Sequence, residues 1–205
     1  MLLVGLVAAP LSASADVALW TELGVDHAVS RRLDVGFDQH LRFDDDVSRV
    51  GAVMPELSMR FRVQRWLRLG AGYRYEYERD GDGMLVTRHR FDVRARTRID
   101  VGSLRVTAEV RLARQLRPDK RDTERHVLRE RVSVSWRGLR PWQPSASVAV
   151  YHVLDDGRLD KLRWTIGGAH ARRGRELELF YRLEQPLGGD DPFLHIIGVG
   201  FHTGI

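Results

Sequence analysis

Cysteine is absent from the chain. That excludes a disulfide scaffold and a thiolate metal site, and it is compatible with export. Long apolar runs are scarce. Beyond residue 15 none approaches the roughly 18 residues needed for a spanning helix. Charged residues make up 30% and the mean hydropathy is −0.33, so no helical membrane protein is expected. A helical period of useful length is missing, as are linkers and low-complexity segments. The formal charge of +5 and the pI of about 10.0 raise the question of nucleic acid. The basic residues gather in neither a tail nor a helix, however. They alternate with apolar residues and mix with Asp and Glu, so charge balance within a fold is expected and a nucleic-acid partner is not. The length, 205 residues, suits a single domain.

What the chain has is period two. Between Arg88 and Arg98 the even positions read Arg, Arg, Asp, Arg, Arg, Arg, and His89, Phe91, Val93, Ala95, Thr97 and Ile99 fill the odd ones. After Val101-Gly102-Ser103-Leu104 the alternation resumes with its parity changed. Arg105, Thr107, Glu109 and Arg111 share one face; Val106, Ala108, Val110 and Leu112 share the other. This pattern predicts a long β-hairpin with one apolar face and one crowded with guanidinium.

Nearly every other segment repeats the design. Alternation and turn signals place about eleven strands, near 17–29, 32–44, 50–64, 66–79, 85–101, 104–117, 124–137, 143–154, 160–172, 176–186 and 193–203. Only SASVAVYHV, in the eighth, leaves its faces ambiguous. Tight joints alternate with longer, acid-rich ones, the habit of an outer-membrane barrel. The expected fold is therefore all-β: a closed, antiparallel, up-and-down transmembrane barrel of 10–12 strands. Because single-chain bacterial barrels are even-numbered, ten or twelve strands are expected rather than eleven. Residues 1–15 have the apolar core and small-residue end of a secretory signal, and 16–205 form one barrel domain.

Alternation does not say which face points inward. A soluble periplasmic lipid carrier would bury its apolar face; a membrane barrel would turn it to lipid. Aromatic placement favours lipid. Trp66, Trp136 and Trp142 lie beside tight turns, whereas Phe43, Tyr77, Tyr151, Trp164 and Phe193 lie nearer the long joints. Two aromatic belts at opposite rims suit the headgroup levels of a bilayer. The cell outer membrane of a diderm, Gram-negative envelope is the expected location, with outer-membrane lipid as partner.

Several segments resemble one bacterial family. They are Leu19-Trp20, Leu41-Arg42-Phe43, LRLGAGYRY at 67–75, RHRF at 88–91, LRER at 128–131, DKLRWTIG at 160–167, LELFYR at 177–182 and HIIGVGF at 195–201. The family is known as "domain of unknown function 2490". The resemblance covers nearly all of the chain after Asp16. It implies a small outer-membrane barrel and supplies no activity and no catalytic residues. Ala149 departs from the pattern, standing where an acidic residue often falls.

The expected site is the charge network of the lumen: Arg74, Glu76, Arg88, Arg90, Arg94, Arg96, Arg98, Glu109 and Arg111. Paired across strands, these charges make a structural salt-bridge lattice. Left uncompensated, they make a narrow anion-preferring passage or a site for a small anion. Arg88, Arg90, Arg94 and Arg111 come closest to an unmatched cluster. Gly70 and Gly72, on the charged face beside them, read as space for bulky neighbours or for strong local curvature. No histidine pair has the spacing of a helical zinc motif, so neither a metal nor a cofactor is expected. An outer-membrane lipid-modifying enzyme would need a nucleophile, a base and an orienting group. Ser48, His40, His152 and Asp155 are the residue types available, and nothing selects them, so no catalysis is expected.

The hairpin allows one sharp expectation. A two-residue turn at Gly102-Ser103 puts Asp100 opposite Arg105, Arg96 opposite Glu109 and Arg94 opposite Arg111. The last pair is like-charged and requires a third party: an acid from another wall, or a bound anion.

Overall fold

The computed structural model describes residues 17–44, 48–79, 83–118, 123–188 and 192–205; the signal-like segment 1–15 lies outside them. Eleven strands account for most of these residues: β1 (Val17–Ala28), β2 (Leu33–Asp44), β3 (Arg49–Arg62), β4 (Leu67–Arg79), β5 (Leu85–Val101), β6 (Leu104–Arg117), β7 (Thr123–Trp136), β8 (Trp142–Val153), β9 (Arg158–Arg172), β10 (Arg175–Pro186) and β11 (Leu194–Gly204). Each strand pairs with its sequence neighbour, and β1 pairs with β11 to close the barrel.

The closure corrects the expectation of an even count. An all-antiparallel ring must be even, because each strand reverses the last. Here β1 and β11 run parallel over ten pairs, from Val17↔His195 to Asp26↔Gly204. What a closed sheet must satisfy is the backbone, and a parallel seam does that as an antiparallel one does. The beginning of β1 and the end of β11 consequently lie at opposite rims. At the tight-turn rim the seam is finished by a bond from the Ile205 amide to the Asp26 carbonyl, 2.9 Å.

The hairpin register is the predicted one. Asp100 faces Arg105, Arg96 faces Glu109 and Arg94 faces Arg111. Gly102 has a φ of 58°, which places it at the first central position of a primed turn. Arg173-Gly174 has positive φ at both residues, 50° and 76°, so Arg173 takes a left-handed conformation unusual for a side-chain-bearing residue. Primed turns match the twist of the strands they join, which is why these two connections can be so short.

The barrel is inside-out relative to a soluble one. Outward positions are apolar and exposed: Ile99 is 61% exposed, Val93 58% and Leu57 58%. Inward positions are charged and buried: Glu56 is 3% exposed, Glu109 3% and Asp92 5%. Trp66, Trp136 and Trp142 are exposed beside the tight turns, with Tyr77, Trp164 and Phe193 toward the other rim. Tyr151 does not join that belt. It faces the lumen between Arg163 and Lys161. β8 carries small or apolar residues on both faces, so alternation could not assign its aromatic to either side.

Candidate functional site

Inward-pointing residues divide the lumen into two chambers. The tight-turn chamber, about 840 Å³, has hydroxyls along one wall (Ser133, Ser135, Ser145, Ser147) and acids along another (Asp26, Glu176, Glu178). The loop-side chamber, about 400 Å³, is dominated by arginine. Glu22, Asp38, Arg96, Glu109 and Arg131 line both and form the septum between them.

Three carboxylates organise the arginine lattice. Glu56, on β3, accepts from Arg74 Nε at 2.7 Å and from Arg94 Nη2 at 2.8 Å, with Arg90 at 3.4 Å and Arg111 at 3.9 Å. Glu109, on β6, accepts from Arg96 Nε at 2.8 Å and also pairs with Arg129. Glu184, on β10, holds Lys161 at 2.5 Å and Arg163. A carboxylate so deeply buried would be costly alone; the two or more cations around each one offset the desolvation.

Glu56 is the third party required by Arg94 and Arg111. Asp92 adds contacts of 3.0 Å to Arg94 Nε and 3.5 Å to Arg111 Nε. Arg88 pairs with Glu78, and Arg90 reaches Glu76 at 3.3 Å. The four arginines expected to lack acids are therefore matched, because Glu56 on β3 and Glu76 and Glu78 on β4 add to Asp92 of their own hairpin. Gly70 and Gly72 make the room that Arg94 needs. A Cβ at Gly72 would stand 2.5 Å from Arg94 Nη2, and one at Gly70 would stand 2.9 Å from its Cγ. Among the described residues, Arg98 makes no lattice ion pair; it faces Thr107.

Among the described residues, the cations without an acid partner lie elsewhere. Arg42 stacks on Trp20 with its guanidinium carbon 4.1 Å from the ring centroid. Arg182 approaches the same ring at 4.9 Å and Arg163 at 5.5 Å. Among the described residues, the contacts of Arg182 are Trp20, Phe180 and, at 3.3 Å, the Thr165 hydroxyl, none of them an acid. Among the described residues, thirteen cationic and seven acidic side chains line the loop-side chamber. Asp92 and Glu184, buried in its walls, raise the acids to nine and leave four cations in excess. Sequence reasoning missed this cluster because Trp20, Arg42, Arg163 and Arg182 come from β1, β2, β9 and β10, which meet only across the seam.

Three of the enzyme-like residue types have other partners among the described residues. His40 bonds Glu22, His152 pairs with Glu130 at 3.2 Å, and Asp155 bonds His126 at 2.8 Å.

A family model described as "Protein of unknown function (DUF2490)" matches residues 17–185. The chain belongs to this family. Segments that carried the resemblance to DUF2490 converge in the loop-side chamber: Trp20, Arg42, Arg90, Arg129, Arg163 and Arg182 all line it. A search of curated proteins finds no match. Among solved structures, LpxR from Salmonella typhimurium is similar with a TM-score of 0.54 and 9% identity, over 84% of this chain and 83% of that one. The NanC porin is similar with a TM-score of 0.51 and 11% identity, over 83% of this chain and 87% of that one. At these identities the likeness concerns the fold alone.

Proposed function

We propose that this DUF2490 chain resides in the outer membrane of a diderm cell and forms a narrow, anion-preferring passage. The apolar exterior and its two aromatic rims suit lipid contacted at two headgroup levels. A soluble lipid carrier would need an apolar interior, and this interior is built from guanidinium and carboxylate. The observation that carries the anion preference is the excess of four cations among the described residues of the loop-side chamber, with Arg42 and Arg182 held against Trp20. Cations without acid partners attract a mobile anion, whereas a fully paired lattice only fills space. The NanC neighbour is named a porin, so the fold is one that a porin also uses. This reading assigns the chain no catalysis.

Planar-bilayer recording of the purified barrel across a KCl gradient tests it. The expected result is a small conductance whose reversal potential favours chloride, with that preference reduced in Arg42→Ala/Arg182→Ala. Large porin-like currents would overturn the narrow lumen. Silence in wild type would leave the lattice a structural filling. Cation preference would contradict the charge argument directly.

A further inference from the structure

The septum holds a second constellation, on the wall opposite Glu109. Glu22, Asp38 and His202 each offer one ligand-type atom, and these atoms all lie within 4.8 Å of one another. His202 aims both ring nitrogens at carboxylates: Nε2 lies 3.3 Å from Glu22 Oε1 and Nδ1 lies 3.7 Å from Asp38 Oδ1.

The convergence is built around a missing side chain. Gly24 sits on β1 directly between Asp38 on β2 and His202 on β11. A Cβ there would stand 2.2 Å from His202 Nδ1 and 2.5 Å from Asp38 Oδ1. Without one, imidazole and carboxylate lean over the bare backbone from either side. Glu22, two residues earlier on the same face of β1, completes the triangle.

The fourth member is a support. His40 stands opposite Glu22 in the β1–β2 ladder and bonds its Oε2 through Nδ1 at 3.1 Å. Its Nε2 lies 3.1 Å from Arg74 Nη2. A guanidinium has no acceptor, so Nε2 must accept, and the proton sits on Nδ1, donating to Glu22. A carboxylate ligand held from behind by a histidine is a second-shell arrangement.

We propose that Glu22, Asp38 and His202 bind a divalent first-row transition ion, with His40 as the positioning residue for Glu22. One imidazole and two carboxylates form a donor set that zinc accepts, and three protein ligands leave a coordination position open to the lumen. Glu176 and Glu178 line the same chamber, while Asp26 there is already paired with Arg60. The proposal stands whether or not the lumen conducts.

Isothermal titration of Zn²⁺ into the refolded, chelator-stripped barrel in detergent micelles is the test. One saturable site per chain is expected, accompanied by proton release. His202→Gln should remove measurable binding. Gly24→Ala should weaken it strongly while keeping every donor. His40→Gln should weaken it about 10–100-fold. His195→Ala, which alters an outward histidine bonded to Tyr181 at 2.6 Å, should leave it unchanged. Binding that survives both His202→Gln and Gly24→Ala, or no saturable binding in wild type, overturns the proposal. Should the variants fail to fold, zinc X-ray absorption of the loaded wild type still decides. A mixed shell with one imidazole supports the site, and an all-oxygen shell sinks it.

Discussion

Glu56 on β3 reaches across β4 to accept a hydrogen bond from Arg94 on β5, 2.8 Å from Nη2 to Oε1. One carboxylate thereby ties three strands together through a hairpin that it does not belong to. Replacing it by glutamine keeps the shape and removes the charge. Arg74, Arg90, Arg94 and Arg111 would then face one another with Asp92 and Glu76 as their remaining acids. Breaking a buried pair from one side costs about 3–5 kcal/mol. Glu56→Gln should therefore lower the unfolding free energy of the barrel in micelles by an amount in that range, and the urea midpoint with it. The measurement is urea unfolding followed by tryptophan fluorescence. An unchanged midpoint would mean that the lattice is not mechanically coupled to the fold.

The same lattice makes a glycine indispensable. Gly72→Val places a branched side chain where the Arg94 guanidinium now lies. Forcing extra carbon into a filled site costs about 1–3 kcal/mol, and here the displaced group also loses its contact with Glu56. Gly168 is a fitting control. It lies on the outer face, and its nearest neighbour would be 3.7 Å from an added Cβ. Gly72→Val should destabilise clearly and Gly168→Ala little, as read from the temperature at which each barrel loses its compact form on a gel.

How much of this was legible in the sequence depends on separation along the chain. Arg96 and Glu109 could be paired because a two-residue turn fixes the register between adjacent strands. The space at Gly70 and Gly72 was readable for the same reason. By contrast, Glu56 lies 38 residues from Arg94, and the reach of a side chain across an intervening strand depends on barrel curvature. Alternation says nothing about which strands close the ring, so the parallel seam was invisible. With it went the Trp20 cluster and the meeting of Glu22, Asp38 and His202. Tyr151 was misplaced because β8 offers no contrast between its faces.

Outside the barrel wall, Asp155 provides a pH-dependent contact. It accepts from the backbone amide of His126 at 2.7 Å and from the ring Nδ1 at 2.8 Å. These bonds, the backbone one first, hold its carboxyl below the ordinary aspartate value. A depressed folded-state pKa means that the contact stabilises above the unfolded value, near 3.9, and is lost as pH falls through the folded one. The hydrogen-exchange protection factor of the His126 amide should accordingly be constant near neutrality and collapse below about pH 4. In Asp155→Asn the acid-dependent loss should disappear. If Asp155→Asn shows the same acid-dependent loss as wild type, the carboxylate is not what protects that amide.

The two faces of β5 allow the membrane reading to be tested within a single strand. Val93 points outward and is 58% exposed, while its neighbour Arg94 points inward against Glu56. An arginine at position 93 would meet the surroundings of the barrel rather than its lumen. If those surroundings are hydrocarbon, the cost is about 2–4 kcal/mol at the midplane and falls toward zero near a headgroup. In aqueous buffer the same substitution on an exposed strand position costs little. Val93→Arg should therefore fold poorly into lipid vesicles. Leu104→Arg, an outward change beside the tight turn after Gly102-Ser103, should fold nearly as well as wild type, because a long side chain at the rim can reach the headgroups. The comparison uses the folded fraction on an unheated gel after dilution from urea into vesicles. Equal folding of both variants would place the outer face in water and remove the ground for an outer-membrane location.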